Sequence, residues 1–144
     1  MKAIKWLAIA LVAYVGLVVA FEGLVGFMGK RQAERGVQPG EQWIVITTTD
    51  TAGATHDTVI AGVERDGQLY VSANHWPRGW YTRAVAHPDV EVARGPEKKP
   101  YRAVPLEGED RTRIAAQYEL PWFIRFLTGF PPRSFLHLDP RKTP

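Results

Sequence analysis

Aromatic and basic side chains are concentrated in one loop near the middle of the chain. Residues 74–78 (NHWPR) open this loop, and Trp80, Tyr81 and Arg83 follow at the start of a predicted helix. Aromatic faces stack on planar ring systems, and arginine binds phosphate or carboxylate groups in a bidentate fork. Free backbone N–H groups at the start of a helix also attract anions. The loop therefore predicts a site for an anionic, aromatic ligand.

A second interpretation of the same residues remains open. Trp80 and Tyr81 would then belong to the hydrophobic core, with the arginines solvated at the surface. Helical spacing puts Trp80 and Arg83 on one face and Tyr81 and Val85 on another, and the face of Tyr81 and Val85 can pack into the barrel. The direction of these faces in the fold decides between a ligand site and a structural role.

Several other chemistries find no support in the sequence. The chain has no cysteine, which excludes disulfides, thiolate metal sites and cysteine nucleophiles. The P-loop, HExxH, GxSxG and GxGxxG motifs are absent. The four histidines lack metal-ligand spacing, so no metal site is expected, and a metal pair of His56 and His75 is the weaker alternative. A net charge of +3 gives little reason to expect nucleic acid as a partner.

Two strands and a short helix are predicted to hold the loop in position. Strands over residues 58–63 and 68–73 flank Asp66-Gly67, a strong hairpin signal because glycine accepts positive φ without steric cost. A helix over residues 80–87 is stopped by Pro88. The alternating residues 89–94 then predict a half-buried strand.

The whole chain predicts a mainly β (α+β) fold. Six short strands without a βαβ rhythm indicate a small closed or split β-barrel with short peripheral helices. Pro105 indicates that its strand is an edge strand or carries a bulge. The predicted strands cover residues 42–49, 58–63, 68–73, 89–94, 101–106 and 133–138, and two further helices cover 107–118 and 120–130.

An apolar segment precedes the barrel. Residues 6–28 carry one charge, Glu22, and as a helix they would extend about 34 Å, enough to cross a hydrocarbon core of about 30 Å. We therefore expect an N-terminal transmembrane anchor over residues 1–29, a linker over 30–41 and the barrel domain over 42–144. A cleaved signal peptide with a basic start is the alternative. Basic residues on both sides of the segment leave its orientation undecided.

Three segments of the chain resemble one family. They are DTVIAGVERDGQLYVSAN, RGWYTRAVAHPDVEV and YRAVPLEGEDRTRI, and the closing FPPRSFLHLDP is similar to that family's last strand. The family is that of the deazaflavin-dependent nitroreductases, whose members have a split β-barrel like that of the flavin-binding pyridoxamine-phosphate oxidases. The resemblance covers residues 42–140 and leaves the N-terminal segment outside.

The resemblance implies a redox enzyme. It implies hydride transfer from reduced deazaflavin coenzyme F-420 to a quinone-like or nitro acceptor, with FMN as the alternative cofactor. A membrane quinone suits an anchor in the lipid bilayer, cofactor supply indicates a cytoplasmic domain, and a homodimer is a further option. No catalytic residue follows from it, and Tyr118 is the one proton donor considered. The implied cofactor-binding residues are Ser72, Asn74, His75, Trp76, Arg78, Trp80, Tyr81 and Arg83.

Departures from the family pattern fall at the expected site. Residues 55–57 (THD) stand where basic residues usually contact the phosphate tail of the cofactor. Trp76 stands in a loop that is usually rich in glycine, and Arg83 replaces a usual asparagine. A non-catalytic, membrane-tethered module that binds a small anionic aromatic ligand or has a structural role is therefore the alternative.

Overall fold

The computed structural model describes residues 2–35, 42–73, 79–118 and 120–141. Its first element is the long helix α1, Lys2–Arg35. The part Ala3–Met28 has a mean hydropathy of 2.3 and is long and apolar enough to cross a membrane, as a signal sequence also is. None of that apolar window is buried inside the protein. The helix also continues through the first six residues of the stretch predicted as a linker.

Six antiparallel strands form a closed barrel in the order β1-β2-β3-β6-β5-β4, in which β4 pairs with β1. The fold class predicted from the sequence is therefore confirmed. The strands are β1 (Trp43–Thr49), β2 (Thr55–Arg65), β3 (Gln68–Ala73), β4 (Asp89–Ala93), β5 (Lys98–Pro105) and β6 (Ser134–Pro140).

The hairpin that leads to the loop forms as the sequence predicts. Asp66 and Gly67 have φ values of 51° and 74°, the left-handed region that a two-residue I′ turn requires at both positions. Strand β2 is longer than expected because Thr55 to Asp57 pair with the end of β1. Pro105 lies at the last position of β5, where the strand ends, and the closed barrel gives β5 a partner on each side.

Apolar side chains from all six strands fill the barrel. Ile46, Val71, Leu136 and Leu138 are fully buried there, and Trp80 joins the same cluster from the short helix α2 (Gly79–Ala86). Helix α2 also packs against β1 and β5. Burial of side chains of this size contributes about 1.5–3 kcal/mol each, which makes this cluster the main source of stability.

Two further helices lie outside the barrel. Helix α3 (Gly108–Gln117) packs on β6 through Ile114, which forms a second cluster with Tyr70 and Phe135. Helix α4 (Trp122–Leu127) is shorter than the predicted 120–130, has Pro121 at its N-cap, and contacts α1. No side chain of α4 is buried, so this helix contributes little to either cluster.

Candidate functional site

Helix α2 presents different faces to the core and to solvent. At 100° per residue, Trp80 and Ala84 lie together, whereas Tyr81 and Val85 lie about 100° away from them. Trp80 is 4% exposed and Ala84 is fully buried in the barrel core. The ring of Tyr81 meets that of Trp80 edge-on, with 5.8 Å between centroids. The core face fixes the helix, and its other faces are available to a ligand.

A mainly apolar pocket of about 350 Å³ opens beside the outer face of α2. Helix α2 forms one wall, the end of β3 forms another, and the segment that leads into β6 forms the third. Among the described residues, the lining consists of Ala73, Tyr81, Thr82, Val85, Ala86, Pro132 and Ser134. Three of these residues, Tyr81, Thr82 and Ser134, carry a hydroxyl group. Such a pocket suits a planar, mostly uncharged ring.

Arg83 bends back over the first turn of α2. Its Nε donates a hydrogen bond of 2.9 Å to Oγ1 of the buried Thr48, and Thr48 in turn donates to the carbonyl oxygen of His56 at 3.5 Å. A Cβ atom on Gly79 would lie 2.7 Å from the Arg83 guanidinium, so glycine leaves room for it. The guanidinium therefore lies over the start of α2, where the helix dipole adds positive potential.

The acidic side chain at the start of β2 is paired. Asp57 accepts a hydrogen bond of 2.6 Å from the Thr47 hydroxyl and two of 3.0 Å from the Lys98 ammonium. The Thr47 hydrogen bond, followed by the contact with Lys98, lowers the pKa of Asp57 below its usual 3.8. Lys98 therefore offsets the negative charge of Asp57, which lies where the family that the sequence resembles has basic residues.

His56 pairs with a carboxylate in the turn between β1 and β2. Its Nε2 lies 2.8 Å from Oδ2 of Asp50, and Asp50 also accepts from the N–H groups of Ala52 and Ala54. The bond with His56, followed by that with the Ala54 N–H, lowers the pKa of Asp50. In the described part of the chain, no three His, Cys, Asp or Glu side chains form a group that could hold a metal ion.

The residues predicted to bind a ligand have different surroundings. Tyr81 lines the pocket, Arg83 bonds to Thr48 and is not among the described lining residues, and Ser72 is half-buried in β3, opposite Phe135 of β6. Trp80 is in the core, so its ring faces are covered by protein. Four of the predicted residues lie outside the described residues: Asn74, His75, Trp76 and Arg78.

Several pocket residues were not predicted from the sequence. Thr82, Val85 and Ala86 follow from the helical period of α2 once Trp80 is known to face inward. Pro132 and Ser134 come from a segment about fifty residues away, and no local signal points to them.

Tyr118, considered as a proton donor, is not among the residues that line the pocket. It packs on the second cluster, 5.6 Å from the Phe135 ring, and its buried hydroxyl has no hydrogen-bond partner. Burial raises its pKa to about 12. This environment suits a structural tyrosine.

Comparisons with solved structures support the same barrel fold. One structure, described as a domain-swapped dimer, has 19% identity and a TM-score of 0.58, and the match covers 82% of this chain and 95% of the other. A solved F420-H2 dependent reductase has 22% identity and a TM-score of 0.54, and the match covers 72% of this chain and 100% of the reductase. The heme storage protein HutZ from Vibrio cholerae has 11% identity and a TM-score of 0.52, and the match covers 72% of this chain and 84% of HutZ.

Sequence comparison identifies the family. None of the curated protein sequences compared with the chain matches it. The model of the F420H(2)-dependent quinone reductase family matches residues 25–123, which include α2 and most of the barrel. The chain belongs to the F420H(2)-dependent quinone reductase family.

Proposed function

We propose that this protein is a membrane-bound reductase that uses a reduced deazaflavin to reduce a quinone. The observation that carries the proposal is the family match over residues 25–123. That match includes the barrel strands β1 to β5 and the whole of α2, the helix that borders the pocket. Nitro compounds are a second acceptor class, in keeping with the resemblance of the sequence to nitroreductases.

The pocket has the size and lining that a flat ring system requires. Its volume of about 350 Å³ is within the range of small-molecule sites, roughly 300–1,000 Å³. Tyr81 and Val85 provide apolar surface, and the hydroxyls of Thr82 and Ser134 can hydrogen-bond ring oxygens. We assign this pocket to the ring of the deazaflavin and to the acceptor that must lie against it.

The tail of the cofactor is anionic and needs positive charge. Arg83 and the N-terminal N–H groups of α2 provide it next to the pocket, on a helix stripe adjacent to Thr82 and Ala86. Since Thr48 holds Arg83 through Nε, the terminal nitrogens of the guanidinium remain available to a phosphate or carboxylate. Ser72, Asn74, His75, Trp76 and Arg78 are the further residues proposed for cofactor binding.

When bound, a reduced deazaflavin supplies a hydride, and a quinone that accepts the hydride and a proton becomes a hydroquinone. The role of the protein is then to position the two rings and to exclude water. Trp80 and Ala84 anchor α2 in the core, so the wall formed by Tyr81 and Val85 is held rigidly. The proton can come from solvent at the open side of the pocket.

Helix α1 is proposed to hold the enzyme at the membrane, with the barrel in the cytoplasm. Quinones with long isoprenoid chains are confined to the bilayer, so a tethered enzyme meets them at a higher effective concentration. A homodimer is proposed as well, on the basis of the solved relative described as a domain-swapped dimer.

Titration of the full-length protein in detergent with oxidised deazaflavin coenzyme, followed by tryptophan fluorescence, tests the proposal. We expect saturable quenching, and FMN in a parallel titration reports on the alternative cofactor. Addition of a short-chain quinone or a nitroaromatic compound to protein with reduced deazaflavin should restore the visible band of the oxidised cofactor.

Two variants make the test specific. Arg83→Ala should weaken deazaflavin binding by at least tenfold, because it removes a charge next to the helix start. Arg94→Ala is the matched control, since Arg94 pairs with Glu64 on the exposed surface. A folded protein that binds neither cofactor would contradict the proposal and favour a non-catalytic binding or structural module.

A further inference from the structure

Helix α1 is attached to the barrel along one side. Its half-buried residues recur at helical spacing, while residues 3–13 are exposed on every side. The helix contacts β2 and α4. The half-buried stripe, which includes the one charged residue of the apolar segment, is Tyr14, Val18, Phe21, Glu22, Val25 and Gly26.

The contact with α4 occurs near the middle of the apolar segment. The Tyr14 hydroxyl donates a hydrogen bond of 3.0 Å to the carbonyl oxygen of Phe126, and the two rings lie 4.8 Å apart. Tyr14 is close to the centre of Ala3–Met28. If α1 crossed a bilayer with this contact intact, α4 and the charged Arg125 would lie near the bilayer centre, where charge is costly.

The free part of α1 is too short to cross a bilayer alone. Residues 3–13 extend about 16 Å as a helix, against about 30 Å of hydrocarbon. Crossing would therefore require α1 to leave β2 and α4. A helix that stays attached to the barrel can instead lie along the membrane surface, with the apolar side chains of residues 3–13 in contact with lipid.

The charges at the ends of α1 agree with this arrangement. Lys2 and Lys5 precede the apolar segment, and Lys30, Arg31 and Arg35 follow it. A crossing helix would place one of these groups on the side that the positive-inside rule disfavours. A helix that lies in the plane of the membrane keeps both groups at the same anionic surface.

Helix α4 adds exposed aromatic side chains next to α1. Trp122 is 75% exposed, and Phe123, Phe126 and Phe130 are also exposed. Ring contacts link Trp122 to Phe126 and Phe126 to Phe130, and the Arg125 guanidinium lies over the Phe130 ring. Tryptophan, other aromatics and arginine are the side chains that favour the boundary between lipid and water.

We infer that α1 lies in the plane of the membrane while attached to the barrel, and that the aromatic side chains of α4 enter the same leaflet. The occupant of this combined surface is the lipid bilayer. The inference builds on the proposed attachment to the membrane and is independent of the redox reaction.

The absence of cysteine from the chain allows a direct test by single-cysteine labelling. Full-length Ala3→Cys and Thr51→Cys variants would be exposed to a membrane-impermeant maleimide in intact cells and in inverted vesicles. Position 51 lies in the exposed turn between β1 and β2. We expect both cysteines to react in the same preparation, because both ends of an in-plane helix face one compartment. Reaction in opposite preparations would overturn the inference.

A depth measurement tests the role of α4. A fluorophore on Val12→Cys or Phe123→Cys, in vesicles of zwitterionic and anionic phospholipid, should be quenched more strongly by shallow than by deep nitroxide lipids. The label on Thr51→Cys should show no quenching. Deep quenching at position 12, or no quenching at position 123, would overturn the inference. Unchanged thermal unfolding of each variant serves as the fold control, and cofactor titration reports separately on the proposed reaction.

Discussion

The Arg83 Nε donates a hydrogen bond to the Thr48 Oγ1 at 2.9 Å, which ties helix α2 to strand β1. Thr48 is fully buried, whereas Arg83 is half-buried next to the start of α2. One side chain therefore links a core position to the proposed binding site for an anion. Its contribution to stability can be separated from its contribution to binding.

Thr48→Val should lower the free energy of unfolding by about 1–2 kcal/mol, because Arg83 Nε loses its partner while the volume is kept. The measurement is urea unfolding of Thr48→Val, Arg83→Ala and the double variant. We expect a coupling of about 1 kcal/mol between the two positions. Strictly additive losses would show that the hydrogen bond contributes nothing in solution.

Val85→Asp should weaken binding of the deazaflavin or of a quinone by at least tenfold, equivalent to about 1.4 kcal/mol. The carboxylate would enter an apolar lining and repel an anionic cofactor. Since Val85 is 44% exposed, the thermal unfolding temperature should change little. Val104→Asp is the control, because Val104 is similarly exposed, at 38%, but does not line the pocket. Equal effects of both variants on binding would argue against the assigned pocket.

Asp57→Asn should make stability less sensitive to acid. The pKa of Asp57 is lowered in the folded protein, so the unfolded chain binds more protons as the pH falls below about 4. The stability contributed by Asp57 is present above the unfolded pKa of 3.8 and is lost as pH falls through the lower folded value. The measurement is urea unfolding of both proteins at a series of pH values from about 2 to about 6. If the free energy of unfolding of Asp57→Asn fell with decreasing pH as steeply as that of the parent, Lys98 and Thr47 would not stabilise the ionised carboxylate.

Tyr118→Phe should leave stability unchanged at neutral pH or raise it by up to about 1 kcal/mol, because the buried hydroxyl has no hydrogen-bond partner. Burial raises the pKa of Tyr118 from 10.0 to about 12. Ionisation of Tyr118 therefore has no effect on stability below pH 10, and it lowers stability as the pH rises from 10.0 through about 12, because the unfolded chain loses this proton first. The variant should unfold less readily than the parent in alkali. A large loss of reductase activity in a folded variant would contradict the structural role.

Most of the fold could be predicted from the sequence because its signals are local. The Asp66-Gly67 turn, the strand over residues 68–73 and the stop before Pro88 each depend on neighbouring residues. Pro105 was misleading as an edge signal, because a proline at the end of a strand also fits a closed barrel. Barrel closure depends on the pairing of β1 with β4, which no short segment encodes.

The site was predictable only in part. Helical spacing placed Trp80 and Tyr81 on different faces, but the expectation that the face of Tyr81 and Val85 packs into the barrel was wrong, because spacing alone does not show which face meets the core. The structure assigns the core to Trp80 and the pocket to Tyr81. The pairing of Asp57 with Lys98 joins residues 41 positions apart, so no local signal in the sequence points to it.

The division of α2 into an inward and an outward face has an evolutionary consequence. Trp80 and Ala84 are constrained by the packed interior, where even small changes of volume are costly. Thr82, Val85 and Ala86 face outward and can be exchanged with little effect on folding. Relatives with this barrel can therefore change the shape of the proposed acceptor pocket one substitution at a time while the scaffold is kept.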